Sequence, residues 1–202
     1  PAGAANLVDI LSDTPSIYVE GRDYARLAAS PLGAMMPDTN RVVEVFMYPC
    51  FACYELQAFI VAWAAKQTED VDIVRIPANW DAYTRLHARA YYTAEALGLL
   101  DSMHSAFYDE IHERSNDLGS ETQIAEFFER FGVDRQAFTR TFYSEAVDAK
   151  LRRDETMLRD YGINGTPSLI VNETYLTTGS MAGSFEKWFE ILDYLVNRPE
   201  SR

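Results

Sequence analysis

Two cysteines in a Cys-x-x-Cys arrangement are the residues of this chain whose types and spacing best suit chemistry. Cys50 and Cys53 are the only cysteines among its 202 residues. A dithiol at this spacing can cycle between two thiols and a disulfide, and its reactive form is the thiolate. Free backbone N–H groups at a helix N-terminus stabilise an anion, so a cysteine there can have a lowered pKa. We therefore predict redox chemistry if the dithiol begins a helix.

The sequence around the dithiol indicates such a position. Residues 42–48 form an apolar run, interrupted only by Glu44, that is typical of a buried strand. After the dithiol, apolar side chains recur with the spacing of one buried helix face, at Leu56, Phe59, Ile60 and Trp63. The cysteines thus lie where a strand passes into a helix. We expect Cys50 to be exposed at the helix end and Cys53, on the face of Leu56, to be buried.

A zinc half-site and an inert structural disulfide are the alternatives for this cysteine pair. A structural zinc site needs four ligands, so histidines would have to complete it. The three histidines, His87, His104 and His112, show no paired ligand spacing, and we expect surface or capping roles for them. A disulfide across so short a loop would constrain the unfolded chain little. We therefore assign no metal ligand and no cofactor.

A second segment, residues 161–171, reads as a loop that passes into a strand. Gly162 and Gly165 end the preceding helix, and Thr166-Pro167 begins an apolar run. Proline is tolerated at the start of a strand because its missing N–H group falls at the end of the ladder. A Cys-x-x-Cys motif near a βαβ pattern is typical of thioredoxin-like proteins, in which a cis-proline strand start faces the dithiol. We therefore predict a cis bond between Thr166 and Pro167.

Together these motifs resemble the DsbA-type thiol:disulfide oxidoreductases of the thioredoxin superfamily, over nearly the whole chain. Residues 18–24 are similar to that family's opening turn and edge strand, residues 42–48 to its central strand, residues 50–53 to its active site and residues 165–172 to its cis-proline strand. The resemblance implies an α/β protein, a thioredoxin fold with an inserted all-helical domain. Residues 1–79 and 162–202 would form the thioredoxin-like domain, and residues 80–161 the helical insertion.

The hydrophobic pattern agrees with this order of elements. Residues 71–77 alternate as in a strand that ends at proline, and residues 81–161 have a helical period. Helix starts are predicted at Asp81, Asp101, Ser120, Asp134, Ser144 and Ser184. The stripe of Phe127, Phe128 and Phe131 predicts core positions.

Composition and charge limit the partners. The chain is 48% hydrophobic, which excludes a disordered chain, and its longest apolar run, residues 59–65, is too short to span a bilayer. Its net charge of −13 makes nucleic acid and anionic membranes poor partners. Residues 1–5 show neither the charged nor the apolar region of a signal peptide. The resemblance implies a periplasmic protein whose signal peptide has been removed.

Position along the helix indicates the roles of the two cysteines, and the resemblance implies roles for Glu44 and Arg75. Cys50 is the expected nucleophile and Cys53 the resolving thiol. Glu44 matches a buried acidic residue of the family, and Arg75 a basic residue on the next strand. Such a pair would relay protons to and from Cys53. An outward-facing strand position is the alternative for Glu44.

The residues lining the dithiol depart from the commonest family pattern. The family's dipeptide between the cysteines is usually Pro-His, whereas Phe51 and Ala52 stand here and offer the Cys50 thiolate no side-chain donor. Thr166 replaces the valine of the best-known members and is met more often in isomerase and reductase relatives. Thr166 and Pro167 are expected to face the dithiol and hold an extended substrate strand.

The leading hypothesis is an oxidase that introduces disulfide bonds into exported proteins. It would act as a monomer on reduced unfolded or folding proteins and be reoxidised by a membrane quinone-linked protein. A disulfide reductase or isomerase of the same fold is the first alternative. A non-catalytic binding or chaperone module and a relative of the glutathione transferases are the others.

Overall fold

The computed structural model describes residues 17–27, 40–67 and 71–198. Its strands are β1 (Ala25–Arg26), β2 (Asn40–Phe46), β3 (Val71–Pro77), β4 (Ser168–Val171) and β5 (Tyr175–Thr178). They form one mixed sheet in the order β1-β5-β4-β2-β3. Strands β2 and β3 are parallel, and the other neighbouring pairs are antiparallel. The prediction about a signal peptide concerns residues 1–5, which lie outside the described residues.

The opening segment differs in one detail from the prediction. Residues 18–24 form the expected turn, but the edge strand follows it, as β1, instead of lying within it. The Asp23 carboxylate accepts a hydrogen bond from the backbone N–H of Val19 at 2.9 Å, and Gly21 has a φ of 84°. These features curl the backbone, so pairing within the segment is limited to a bridge between Glu20 and Tyr24.

Helices follow the predicted order. They are α1 (Phe51–Ala64), α2 (Ala82–Ala96), α3 (Leu100–His112), α4 (Glu121–Glu129), α5 (Arg135–Phe142), α6 (Glu145–Asp160), α7 (Gly179–Ala182) and α8 (Phe185–Val196). Five predicted caps are confirmed by side-chain hydrogen bonds, those of Asp81, Ser120, Asp134, Ser144 and Ser184. The predicted cap Asp101 is wrong. Gly98, with a φ of 71°, ends α2, and the chain re-enters a helix so soon that Leu99 is the N-cap and Asp101 lies in the first turn.

The two faces of β2 pack against different helices, as the two-residue period of a strand requires. Val42 lies in the core cluster that contains the buried faces of α1 and α8. Val43 and Val45 point to the other face and pack near Met157 and Leu158 of α6. The central strand is therefore covered on both sides, which explains its continuous apolar run.

The helices between β3 and β4 build a further cluster that includes the end of β2 and the dithiol. Phe127 and Phe128 are buried in it, as predicted, and Phe131 is half-buried at its edge. Phe46 and Cys53 belong to the same cluster, so these helices pack directly against the active-site turn. None of the helices in the described ranges is both long and apolar enough to cross a membrane.

Candidate active site

Cys50 and Cys53 form a disulfide at the N-terminus of α1. Cys50 is the N-cap residue, and its Sγ accepts a hydrogen bond from the backbone N–H of Cys53 at 3.2 Å. The first turn of α1 carries no acidic side chain that would offset the partial positive charge of the helix end. A thiolate on Cys50 is therefore stabilised by the backbone itself.

The two sulfurs differ in access, as the sequence predicts, although Cys50 is less exposed than expected. Cys53 has no exposed surface, because α1 turns it toward the cluster that contains Phe46 and Tyr48. Cys50 is half-buried, and Phe51 beside it is 60% exposed. An incoming thiolate can therefore approach Cys50, whereas Cys53 is shielded by the protein.

The loop before β4 faces the dithiol. The peptide bond between Thr166 and Pro167 is cis, which confirms the prediction. The carbonyl oxygen of Thr166 lies 3.6 Å from Cys50 Sγ. Ser168 stabilises the loop by donating its hydroxyl hydrogen bond to the carbonyl oxygen of Gly165 at 2.8 Å. The site thus has a backbone edge immediately beside the accessible sulfur.

Two shallow grooves meet at Ala52 and Pro167. One has a volume of about 410 Å³ and runs along the loop before β4, past Gly165, Thr166 and Thr178. The other has a volume of about 440 Å³ and runs toward the start of α8, past Ser184, Phe185 and Trp188. A polypeptide that reaches Cys50 would find both polar backbone and apolar side chains within these grooves.

Phe51 lies against an aromatic group supplied by α1 and α3. Its ring centroid is 5.8 Å from that of His112, which stacks on Tyr54 at 4.8 Å. His112 Nε2 is 2.8 Å from the carbonyl oxygen of Tyr48, so that nitrogen carries the proton. The position between the cysteines lacks a histidine, but α3 places one beside Phe51.

Glu44 is buried and not outward-facing. It has no exposed surface, and Arg75, its register partner on β3, donates from Nε to Glu44 Oε2 at 3.0 Å. Burial raises the pKa of Glu44 above its ordinary value, although Arg75 and Gln57 act in the opposite direction. Gln57 connects this carboxylate to the dithiol, because its Nε2 contacts both Glu44 Oε1 at 2.7 Å and the carbonyl oxygen of Cys53 at 3.3 Å.

Sequence reasoning missed Gln57 and misplaced two histidines. Gln57 could have been found, because it follows Cys53 by one helical turn and so faces the same side of α1. The expected surface or capping roles of His87 and His104 are wrong: the two side chains are 2% and 8% exposed. Their helices α2 and α3 turn these positions into the aromatic core, a tertiary effect that local pattern does not reveal. His112 does lie in the last turn of its helix.

In the part of the chain that the structure describes, there is no group of three or more histidine, cysteine or carboxylate side chains that could hold a metal ion. The three histidines make other contacts: His87 with the backbone of Leu118, His104 with Gln57 and His112 with the backbone of Tyr48.

Known proteins match this chain along most of its length. The sequence matches the model of the DSBA-like thioredoxin domain family over residues 53–187. It is 30% identical to the thiol:disulfide interchange protein DsbA of Pseudomonas aeruginosa over 90% of this chain and 85% of that protein. It is 32% identical to DsbA of Azotobacter vinelandii, over 93% and 87% of the two chains.

Solved structures agree with the sequence matches. The crystal structure of Pseudomonas aeruginosa DsbA superposes with a TM-score of 0.82 at 29% identity, covering 91% of this chain and 95% of that one. The structure of the oxidoreductase DsbA from Xylella fastidiosa gives a TM-score of 0.81 at 30% identity, covering 93% and 100%. The fold is thus a thioredoxin fold with additional helices between β3 and β4. The chain belongs to the DSBA-like thioredoxin domain family.

Proposed function

We propose that this chain introduces disulfide bonds into exported proteins by exchange at Cys50-Phe51-Ala52-Cys53, as a protein dithiol–disulfide oxidoreductase. The observation that carries the proposal is the disulfide at the N-terminus of α1, with Cys53 buried and Cys50 next to the backbone of Thr166. Relatives that bear the name thiol:disulfide interchange protein support it.

The exchange transfers two electrons from the substrate to the dithiol. A substrate thiolate attacks Cys50 Sγ, forms a mixed disulfide and displaces Cys53 as a thiolate, which takes up a proton. A second substrate thiolate then attacks the substrate sulfur of the mixed disulfide. The substrate leaves with a new disulfide, and Cys50 leaves as a thiolate that the helix N-terminus stabilises.

Glu44 and Arg75 are proposed to transfer protons to and from Cys53. Glu44 is enclosed by protein, and its raised pKa brings proton exchange closer to neutral pH. Arg75 keeps the buried charge paired. Gln57 connects the carboxylate to the backbone of Cys53. When the dithiol is reoxidised, the same carboxylate takes the proton back.

The substrate chain is proposed to lie across the loop before β4. Thr166 and Pro167 supply a backbone edge beside Cys50, which suits an extended polypeptide. Phe51 and Ala52 are exposed beside the sulfur, and Ala52 lines the same groove as Pro167, so both would contact the same chain. These contacts involve backbone and apolar surface, so they favour unfolded or folding proteins of varied sequence.

Partners and location follow from this chemistry. A dithiol that oxidises others must be reoxidised, and we propose a membrane quinone-linked protein that docks where the two grooves meet at Ala52 and Pro167. We place the protein in the periplasm, because disulfides form in oxidising compartments, and expect a monomer. The division into a thioredoxin-like domain, residues 1–79 and 162–202, and a helical insertion, residues 80–161, stays a prediction.

The test is a stoichiometric reaction with a reduced, unfolded protein. One equivalent of the oxidised chain should form one substrate disulfide and yield one reduced dithiol, and Cys50→Ser should do neither. Equilibration with glutathione buffers separates the alternatives, because an oxidase has a more oxidising potential than a reductase. A potential near that of thioredoxin, about −270 mV, would favour the reductase, and failure to exchange would favour a binding module.

A further inference from the structure

Beneath the dithiol, a line of hydrogen bonds joins α3 to the buried carboxylate of Glu44. Tyr48 Oη lies 3.0 Å from His104 Nδ1, and His104 Nε2 lies 3.2 Å from Gln57 Oε1. Gln57 Nε2 then contacts Glu44 Oε1 at 2.7 Å. Tyr48, His104 and Glu44 are all buried, at 2%, 8% and 0% exposure. Buried hydrogen bonds polarise one another in a low dielectric, so a change at one member of this line affects its neighbours.

The direction of each bond follows from the acceptors at its ends. Gln57 Nε2 faces the carbonyl oxygen of Cys53 and a carboxylate oxygen, and both accept only. The amide oxygen of Gln57 must therefore face His104, so His104 Nε2 carries its proton. His104 Nδ1 is then left to accept from the Tyr48 hydroxyl. Burial lowers the pKa of His104 to about 3, with Arg75 contributing, which agrees with a neutral ring.

We propose that His104 is a positioning residue that anchors the Gln57 amide and thereby keeps Glu44 ready to accept the proton of Cys53. The carboxylate of Glu44 and the carbonyl oxygen of Cys53 set which way the amide faces, because a rotated amide would place its oxygen against both acceptors. The Nε2–H of His104 then holds the amide oxygen of Gln57 in that orientation. That orientation donates to Glu44 and favours its ionised form.

The other groups around Glu44 do not replace this bond. Arg75 on β3 already donates to the second carboxylate oxygen. On β4, the register partner of Glu44 is the apolar residue Leu169. Among the described residues, the other titratable groups that interact electrostatically with the carboxylate are phenols, Tyr48 after β2, Tyr91 on α2 and Tyr108 on α3. Burial raises the pKa of all three, so they are neutral at physiological pH.

The step affected is the release of a mixed disulfide by Cys53. Cys53 Sγ–H gives its proton to the Glu44 carboxylate, the resulting thiolate attacks Cys50 Sγ, and the partner leaves as a thiolate while the Cys50–Cys53 bond forms. Oxidation of Cys53 is thus balanced by reduction of the partner sulfur. The inference rests on the proposed function, because it needs exchange at this dithiol.

Two pH titrations test the inference. The first follows the side-chain carboxyl ¹³C signal of Glu44 in the oxidised protein, assigned with Glu44→Gln. The second measures, in the reduced protein charged with glutathione on Cys50, how fast Cys53 releases glutathione. In His104→Phe both midpoints should rise by about one pH unit, the equivalent of one weakened hydrogen bond to a charge. His104→Gln, which keeps an amide donor, should stay near the wild type.

The matched control is His87→Phe. His87 is also a buried histidine of the aromatic core, but it bonds to the carbonyl oxygen of Leu118 and not to Gln57. This variant should lower stability without moving either midpoint. The inference is overturned if His87→Phe shifts the midpoints as much as His104→Phe does, or if His104→Phe leaves them unchanged. If His104→Phe does not fold, Gln57→Leu must raise the midpoints in its place. A wild-type protein that does not exchange with glutathione at all overturns the proposed function instead.

Discussion

The Sγ atom of Cys50 lies 3.6 Å from the carbonyl oxygen of Thr166, although 116 residues separate them in sequence. The Oγ1 atom of the Thr166 side chain, by contrast, is buried and has no hydrogen-bond partner among the described residues. A buried hydroxyl without a partner costs free energy. Thr166 thus places a destabilising hydroxyl beside the reactive sulfur.

Thr166→Val should therefore stabilise the oxidised protein by about 1 kcal/mol, because it removes an unpaired hydroxyl at nearly constant volume. Urea unfolding measures the change. The control is Thr177→Val: Thr177 is fully buried, and its hydroxyl donates to the carbonyl oxygen of Asp23 at 3.0 Å. That variant should lose about 1 kcal/mol or more, since the carbonyl oxygen of Asp23 loses its donor. Destabilisation of both variants alike would contradict the argument.

Exposure should decide which cysteine reacts. In the reduced native protein, a bulky alkylating reagent should label Cys50 alone, because Cys53 has no exposed surface. Cys53→Ala should accumulate mixed disulfides with reduced client proteins, whereas Cys50→Ala should not. Peptide mapping by mass spectrometry reads both results. Labelling of Cys53 before Cys50 would reverse the assignment of the nucleophile.

Much of this site could be predicted from the sequence because its parts are local motifs. The turn from β2 into α1 and the loop with Pro167 are short motifs with their own patterns, and resemblance to a family placed them face to face. The contact between Tyr48 and His104 could not be predicted, since the two residues are 56 positions apart and meet only when α3 packs on the end of β2. A lone histidine in a helix has no local signature of such a partner.

Sequence patterns were least reliable where the local pattern and the tertiary packing of a residue favour different outcomes. Asp101 has a good capping side chain, yet α3 begins at Leu100, because the turn at Gly98 brings the chain into helical geometry earlier. Glu44 looked compatible with an exposed strand position because a single carboxylate in an apolar run has no visible partner. Arg75 supplies that partner from the neighbouring strand, at the same register position.

Acid should destabilise the fold through its buried histidines. Burial lowers the pKa of His87 to about 4, whereas in an unfolded chain it is about 6.5. Between these values the unfolded chain binds a proton that the folded protein does not, so stability falls as the pH drops from about 6.5 toward 4. The loss is at most about 1.4 kcal/mol per pH unit for this group.

Urea midpoints between pH 7 and pH 4.5 would show the effect of His87. In His87→Gln the midpoint should fall less steeply with decreasing pH than in the wild type, because glutamine does not titrate. Equal slopes for the two proteins would show that His87 does not contribute to the acid sensitivity.

Phe51 should matter for substrate proteins and not for folding. It is 60% exposed, so Phe51→Ala should change the free energy of unfolding by no more than about 0.5 kcal/mol. Exchange with an unfolded protein should slow several-fold, whereas exchange with glutathione, which is too small to reach across the site, should change little. Val61→Ala, at a 61% exposed position farther along α1, is the control for lost apolar surface. Equal slowing with both substrates would mean that Phe51 acts on the sulfur itself.

The redox strength should reflect the absent histidine between the cysteines. In DsbA the first cysteine has a pKa of about 3.5 and the dithiol a potential of about −120 mV, because its thiolate is unusually stable. Here the helix N-terminus and the N–H of Cys53 still face Cys50 Sγ, but Ala52 offers neither a donor nor a charge. We expect the pKa of Cys50 to lie above that of DsbA and below that of a free thiol, with a less oxidising potential to match.

Ala52→His should restore part of the difference. One pKa unit corresponds to about 1.4 kcal/mol, or about 30 mV for a two-electron couple, so a gain of one unit is measurable. Thiolate absorbance against pH gives the pKa of Cys50, and equilibration with glutathione gives the potential. The control is Ala58→His, which adds the same side chain at an exposed position farther along α1, away from the dithiol. If Ala52→His changes neither quantity, the backbone of α1 alone sets the potential of this dithiol. If Ala58→His changes both equally, the gain comes from added charge in general and not from a side chain between the cysteines.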